Sequence, residues 1–194
     1  VKKISKKNKK WILLGSLAIK DGKKYRNRSI MIGPKGNIVA YYDKIKMFDV
    51  KLPNKEEHKE SNTYKAGKKL VTVKLPWGRL GLTICYDLRF PEIYRSLSKK
   101  NLNFISVPSA FTKITGQKHW LALLKARAIE NFCYIFAPNQ YGKNTKQRET
   151  FGHSVIISPD GNILKLKKKG IGIVYSNINP NMSMNLRKII PSLN

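Results

Sequence analysis

The chain has 194 residues, of which 41% are hydrophobic, so it is long enough for one domain with a buried core and short for two. Its 39 Lys and Arg residues against 11 Asp and Glu residues give a formal net charge of +28. No apolar run approaches the roughly 20 residues that span a membrane, and no segment resembles a signal peptide. The two cysteines are too few for a disulfide framework and lack metal-site spacing, so we predict a reducing, cytoplasmic setting.

The excess of positive charge admits two interpretations. A charge of this size is typical of nucleic-acid-binding proteins. Here, however, the lysines are spread along the chain in short clusters, without interleaved aromatic residues or a recognisable binding motif. We therefore expect a lysine-rich, solvated surface whose binding to nucleic acid is weak, nonspecific and sensitive to salt. A basic nucleic-acid-binding domain stays open as the alternative outside the enzymes.

The apolar pattern predicts strands along most of the chain, with helices between them. In chain order it predicts strands over 11–19, 28–32 and 38–42, a long surface loop over 49–67, strands over 70–75 and 80–85, a helix over 90–99, a strand over 104–107, a helix over 118–131, strands over 134–138, 154–158, 163–166 and 172–176, and a tail helix over 182–189. Strands that alternate with helices are typical of an α/β layered domain. The pattern thus predicts one α/β domain over residues 1–194.

The strongest local signal for chemistry surrounds Cys85. This cysteine ends a buried apolar strand, and a tight turn and a helix start at Pro91 follow at once. In such a nucleophile elbow the thiol projects above the sheet edge, and backbone N–H groups after it can face an oxyanion. A helix N-terminus also stabilises a thiolate. The same local pattern also fits a buried structural cysteine. We interpret the second cysteine, Cys133, as a residue of the core.

A wider set of segments resembles the nitrilase superfamily of carbon–nitrogen hydrolases. Residues 81–92, GLTICYDLRFPE, resemble its nucleophile segment, and residues 42–49 resemble its lysine segment. Glu60 stands at the place of a second, supporting glutamate. Further matches follow in family order at residues 108–112, 119–120, 126–131, 151–154, 158–161 and 190–193. The chain is most similar to the branch that includes deaminated-glutathione amidase and ω-amidase.

This resemblance implies a fold and a reaction. The fold is a four-layer α-β-β-α sandwich, and the reaction is hydrolysis of the amide C–N bond of a small carboxylate-bearing amide. A cysteine thioester forms, ammonia leaves, and water completes the reaction. The resemblance implies neither a metal nor an organic cofactor, and it implies a homo-oligomer that acts on a small-molecule amide and water. A nitrilase or carbamoylase of the same superfamily is the alternative within the class.

The resemblance also assigns roles to particular residues. Cys85 is the nucleophile, and Lys44 supplies positive charge at the oxyanion together with the backbone N–H of Tyr86. Glu60 orients Lys44 or the attacking water, although it can also be one more carboxylate of an acidic loop. Candidate substrate-binding residues follow the next predicted strand, and these are Ser109, Ala110 and Phe111.

One catalytic group of the family has no counterpart in this sequence. The family's general-base glutamate precedes the lysine segment, whereas the first carboxylate of this chain is Asp21, in a predicted turn. We therefore expect the sequence to lack the first strand–helix–strand portion of the domain. The expectation for the 194 residues is weak or absent activity, and a catalytically dead copy is the alternative explanation.

Overall fold

The fold is built on two stacked β-sheets with helices packed on the larger one, and the described residues also form two separate two-stranded sheets. A computed structural model describes residues 1–52, 57–144 and 148–193. Its helices are α1 (Lys2–Asn8), α2 (Glu60–Thr63), α3 (Pro91–Ser98), α4 (Lys113–Asn131) and α5 (Asn181–Ile189), with a 3-10 turn at Cys85–Arg89. Its strands are β1 (Ile12–Asp21), β2 (Lys24–Ile32), β3 (Ile38–Asp43), β4 (Asp49–Lys51), β5 (Glu57–Lys59), β6 (Val71–Leu75), β7 (Gly78–Leu82), β8 (Phe104–Ser106), β9 (Tyr134–Ala137), β10 (Tyr141–Lys143), β11 (Glu149–Phe151), β12 (Ser154–Ile157) and β13 (Ile163–Lys167).

The larger sheet has six strands in the order β13-β12-β9-β8-β7-β6. Its central strands β7, β8 and β9 run parallel, and the outer pairs are antiparallel. Parallel neighbours require crossover connections, and α3 and α4 supply them. Both helices bury apolar side chains against one face of this sheet, among them Leu97, Trp120 and Leu124. The carboxyl ends of the three parallel strands therefore meet at one edge.

The opposite face of the six-stranded sheet packs on a smaller sheet in the order β1-β2-β3. Met31 and Tyr42 of the smaller sheet share a buried cluster with Leu82 and Phe104 of the larger one. The layers thus run from helices to sheet to sheet, and the α/β sandwich class predicted from the sequence is confirmed. Within the described residues, no helix is long and apolar enough to cross a membrane.

Two segments differ from the sequence prediction near the chain start and in the long loop. The Lys-rich start forms α1, which the apolar pattern did not predict; its Ser5 hydroxyl is buried and donates to the Gly33 carbonyl at 2.6 Å. Residues 49–67 contain the hairpin β4–β5 and the short helix α2 rather than only a surface loop. Residues 53–56 of that prediction lie outside the described residues.

The predicted strand over 172–176 is wrong. The alternation of Ile173 and Tyr175 with smaller residues is typical of a strand, yet the segment forms no strand. Both side chains are largely exposed, at 87% and 79%. The physical reason is that a strand needs a neighbour to satisfy its backbone groups, and β13 pairs only with β12 in the described part of the chain.

Candidate active site

A cavity of about 760 Å³ opens at the edge where the parallel strands end. Residues that follow β7, β8 and β9 line one side, and residues from the smaller sheet and the β4–β5 hairpin line the other. All seven of the site residues predicted from the sequence lie on its wall. These are Cys85, Lys44, Glu60, Tyr86, Ser109, Ala110 and Phe111.

Cys85 lies at a sharp turn above the sheet edge. Strand β7 ends at Leu82, and the 3-10 turn begins at Cys85 itself, whose backbone φ is +48°. A positive φ is uncommon for a residue with a Cβ, and it persists only where the surroundings hold it. The Cys85 N–H donates to the Pro108 carbonyl at 3.0 Å, which ties the turn to the segment after β8. The free thiol is partly exposed to the cavity.

Lys44 and Glu60 form a buried ion pair on the cavity wall. The Lys44 ammonium lies 2.5 Å from the Glu60 carboxylate, with side-chain exposures of 3% and 13%. The same carboxylate accepts hydrogen bonds from the Asn27 amide at 3.0 Å and from the Phe48 N–H at 2.7 Å. A buried charge requires such partners, because isolated burial costs several kcal/mol or more. The hydrogen bonds from Asn27 and Phe48 hold the Glu60 carboxylate in place, and the carboxylate in turn fixes the position of the Lys44 ammonium.

Asp87 connects the lysine segment to the cysteine turn. One carboxylate oxygen accepts from the Lys46 N–H at 2.9 Å, and the other accepts from the Ile84 N–H at 2.9 Å and the Tyr42 hydroxyl at 2.7 Å. Burial raises the pKa of Asp87, and the hydrogen bonds from Tyr42, Ile84 and Lys46 oppose that effect. The carboxylate caps the 3-10 turn. It also holds two segments 41 residues apart in register.

Arg89 and Glu92, the charged neighbours of Asp87, contact residues outside the nucleophile segment. The Arg89 guanidinium lies 3.3 Å from the His119 ring nitrogen, and the Glu92 carboxylate lies 3.6 Å from the Lys46 ammonium. Neither histidine of the family segments, at positions 119 and 153, lines the cavity. Cys133 is buried in the core, as interpreted from the sequence, and burial raises its pKa to about 12.

The segment Ser109–Phe111 forms part of the cavity wall. Phe111 is buried against Trp120, with ring centroids 5.0 Å apart, and its N–H donates to the Asn139 side chain at 2.9 Å. The Ala110 carbonyl accepts a hydrogen bond from Arg148 at 3.2 Å. The backbone of this wall is therefore fixed from two directions.

Several cavity residues were not among the sequence candidates. They come from separate parts of the chain and include Asn27, Phe48, His58, Asn139, Gln140 and Arg148. Only Asn139 and Gln140 had a usable signal, because they follow the predicted strand 134–138 and parallel strands end at one edge. The others are brought to the cavity by contacts that leave no local pattern in the sequence.

The comparisons with known proteins assign the family. The carbon-nitrogen hydrolase family model matches residues 1–188, and the chain belongs to this family. It is 45% identical to the deaminated glutathione amidase of Synechocystis sp. (strain PCC 6803 / GT-S) over 174 residues, which are 89% of this chain and 64% of that protein. It is 35% identical to the deaminated glutathione amidase of Mus musculus, over 93% of this chain and 58% of that protein.

Solved structures place the fold in the nitrilase superfamily. The Caenorhabditis elegans NitFhit protein matches 98% of this chain with a TM-score of 0.92 and 36% identity, over 47% of its own chain. Saccharomyces cerevisiae Nit3, a member of branch 10 of the nitrilase superfamily, matches 98% of this chain with a TM-score of 0.86 and 28% identity, over 67% of its own chain. The chain spans less than two thirds of the Synechocystis protein, at 64%.

Proposed function

We propose that this chain hydrolyses the C–N bond of a small amide, with Cys85 as the nucleophile. The observation that carries the proposal is that a partly exposed cysteine in a strained turn and a buried Lys44–Glu60 pair line one cavity. A thiol at a strand end, beside a fixed positive charge, is the arrangement that nucleophilic attack on an amide carbon requires. The resemblance of the chain to amidases of the same family supports this assignment.

In the proposed reaction the Cys85 thiolate attacks the amide carbon, and the carbonyl oxygen becomes an oxyanion. The Lys44 ammonium and the Tyr86 backbone N–H stabilise that oxyanion. The C–N bond then breaks, the nitrogen takes up a proton and leaves as ammonia, and a thioester remains on Cys85. Water attacks the thioester, which releases the carboxylic acid and restores the thiol. Glu60 keeps the ammonium in place through both steps.

The proposed substrate class is a small amide that carries a carboxylate, and we assign Ser109, Ala110 and Phe111 to its binding site. The names of the relatives, deaminated glutathione amidases, support this class. A net charge of +28 attracts anions to the molecule. We also propose a single catalytic domain in a cytoplasmic homo-oligomer. A nitrile or a carbamoyl compound is the alternative substrate of the same cysteine chemistry.

The test is ammonia release from α-ketoglutaramate and from deaminated glutathione, measured for the wild type and for Cys85→Ala. Intact-mass spectrometry after mixing with a p-nitrophenyl ester detects the acyl adduct on Cys85 even where turnover is slow. We expect the adduct on the wild type and neither adduct nor ammonia with Cys85→Ala. Ammonia release that survives Cys85→Ala would overturn the proposed function.

A further inference from the structure

Arg127 on α4 is a buried cation that reaches the turn bearing the nucleophile. The residue is only 5% exposed. Its Nε and Nη2 both donate to the Leu88 carbonyl, at 3.1 and 2.9 Å. Its remaining nitrogen, Nη1, lies 3.0 Å from the Glu130 carboxylate, one turn further along the helix. The guanidinium therefore joins the helix layer to the far end of the 3-10 turn that begins at Cys85.

The stability of the fold does not by itself account for a guanidinium in this place. Transfer of a charged group from water into the protein interior costs several kcal/mol, and a buried ion pair often stabilises a protein no more than apolar side chains of similar volume. The Glu130 side chain is 31% exposed, so solvent screens part of its attraction for Arg127. The contact distinctive to Arg127 is the pair of hydrogen bonds to the Leu88 carbonyl, which an apolar side chain cannot make.

The turn that receives these hydrogen bonds is strained at its first residue. Cys85 has a backbone φ of +48°, a conformation that persists only where the surroundings hold it. At the start of the turn, the Cys85 N–H donates to the Pro108 carbonyl. The Ile84 N–H donates to the Asp87 carboxylate. The carbonyls at the end of a helical turn also require partners, and Arg127 supplies them there.

The apolar packing around Arg127 fixes the direction of its side chain. Leu124 and Ala128 of α4 share a buried cluster with Leu88 of the turn. The guanidinium carbon lies 5.3 Å from the centre of the Tyr94 ring, which belongs to the same cluster. Because both sides of the contact belong to one close-packed core, a change in the length or shape of this side chain is transmitted to the turn.

We infer that Arg127 is a positioning residue, which sets the direction in which the Cys85 thiol and the Tyr86 N–H face the cavity. This inference rests on the proposed amide hydrolysis at Cys85. The nucleophile and the proposed oxyanion donor both lie in the turn whose far end Arg127 holds. Misplacement of a reacting group by about 1 Å can slow a reaction about 100-fold. Arg127 thus acts on the reaction through the backbone of the turn.

The test separates the rate of acylation from the fraction of active molecules. Each variant is mixed with increasing concentrations of a p-nitrophenyl ester, and the release of p-nitrophenolate is followed at constant pH. The burst amplitude counts the molecules with a competent turn. The rate constant at saturating ester reports how well the thiol and the oxyanion donor are aligned within those molecules. A residue that only stabilises the fold changes the amplitude, whereas a positioning residue changes the rate constant.

The two decisive variants are Arg127→Met and Arg127→Lys. Arg127→Met removes both hydrogen bonds to the Leu88 carbonyl, and we expect its saturating rate constant to fall about 10- to 100-fold. Arg127→Lys keeps a charged donor but loses the planar fork, so its rate constant should lie between those of Arg127→Met and the wild type. In both variants the ester concentration that gives half of the maximal rate should stay near the wild-type value, because Arg127 acts on the turn and not on the ester.

Arg187→Met is the matched control. The Arg187 guanidinium on α5 also donates to two backbone carbonyls, those of Leu102 and Asn131, and neither belongs to the 3-10 turn. Its removal should leave the acylation rate constant unchanged, whatever its effect on stability. Thermal melting of each variant establishes that it folds and measures the change in stability.

The outcomes separate this inference from the proposed function. An unchanged rate constant in either Arg127 variant, or a fall of equal size in Arg187→Met, would overturn the role of Arg127. If Arg127→Met does not fold, Arg127→Lys decides the question alone. These results leave the role of Cys85 intact, because the wild type still forms the acyl adduct. Conversely, a wild type that forms no adduct, or a burst that survives Cys85→Ala, removes the proposed function.

Discussion

The ammonium of Lys44 lies 2.5 Å from the carboxylate of Glu60 in a site where the two side chains are only 3% and 13% exposed. This pair joins the end of β3 to the start of α2 across 16 residues. Removal of one partner leaves a buried charge without its counter-ion, which is far more costly than removal of both.

Glu60→Gln should therefore lower the free energy of unfolding by about 3 kcal/mol, the order of magnitude for breaking a buried pair. The double variant Lys44→Met/Glu60→Gln should be more stable than Glu60→Gln alone, because it no longer buries an uncompensated ammonium. Urea denaturation of the wild type, both single variants and the double variant gives the coupling energy. Additive effects of the two substitutions would contradict the buried pair.

The two thiols should differ in reactivity by orders of magnitude. Burial raises the pKa of Cys133 to about 12, so at pH 8 its thiolate fraction is on the order of 10⁻⁴. Cys85 is partly exposed at the cavity. Iodoacetamide at pH 8 should modify Cys85 alone in the folded protein and both cysteines in urea. Peptide mapping identifies the modified cysteine. In the control variant Cys85→Ser the folded protein should remain unmodified. Labelling of both thiols at similar rates in the folded wild type would contradict the prediction.

The buried carboxyl group of Asp87 should make the protein less stable as the pH rises from about 4 towards neutral. Burial raises the folded pKa of Asp87 above the usual aspartate value of 3.8, so the folded state binds the proton more tightly than the unfolded state does. The contribution of Asp87 to the free energy of unfolding is therefore fully present below the pKa of the unfolded state. It is lost as the pH rises through the pKa of the folded state. The free energy of unfolding of Asp87→Asn, relative to that of the wild type, should therefore increase between pH 4 and neutral pH. Urea denaturation across this range measures the difference, and parallel curves would show that the pKa is not raised.

Amide turnover by the 194 residues should be slow even where acylation occurs. The Glu60 carboxylate accepts hydrogen bonds from Lys44, Asn27 and Phe48, so both of its oxygens are already engaged by donors of the protein. An activated ester needs no proton at its leaving group, whereas an amide does. A burst of p-nitrophenolate should therefore exceed steady-state ammonia release by several orders of magnitude. Equal rates for ester and amide would show that a carboxylate of this chain, with Glu60 the first candidate, acts as the base.

The sequence alone predicted the candidate reacting groups and most of the core elements. The apolar strand and abrupt turn around Cys85 predicted the elbow, and the helical spacing predicted α3 and most of α4. Motif order predicted that Lys44 and Glu60 belong with Cys85, and all three line one cavity. These features could be predicted because turns, helix starts and amphipathic spacing are determined by residues close together in the chain.

Tertiary structure decided the features that depend on distant contacts. The strand-like pattern of residues 172–176 forms no strand, because pairing depends on a neighbour and not on alternation. Asn27 reaches Glu60 and Arg148 reaches Ala110 only because the sheets stack and the loops after β8 and β10 fold against each other. No periodicity marks either residue. The sequence therefore determined which residues are candidates for the chemistry, and the packing of the two sheets determined which side chains surround them.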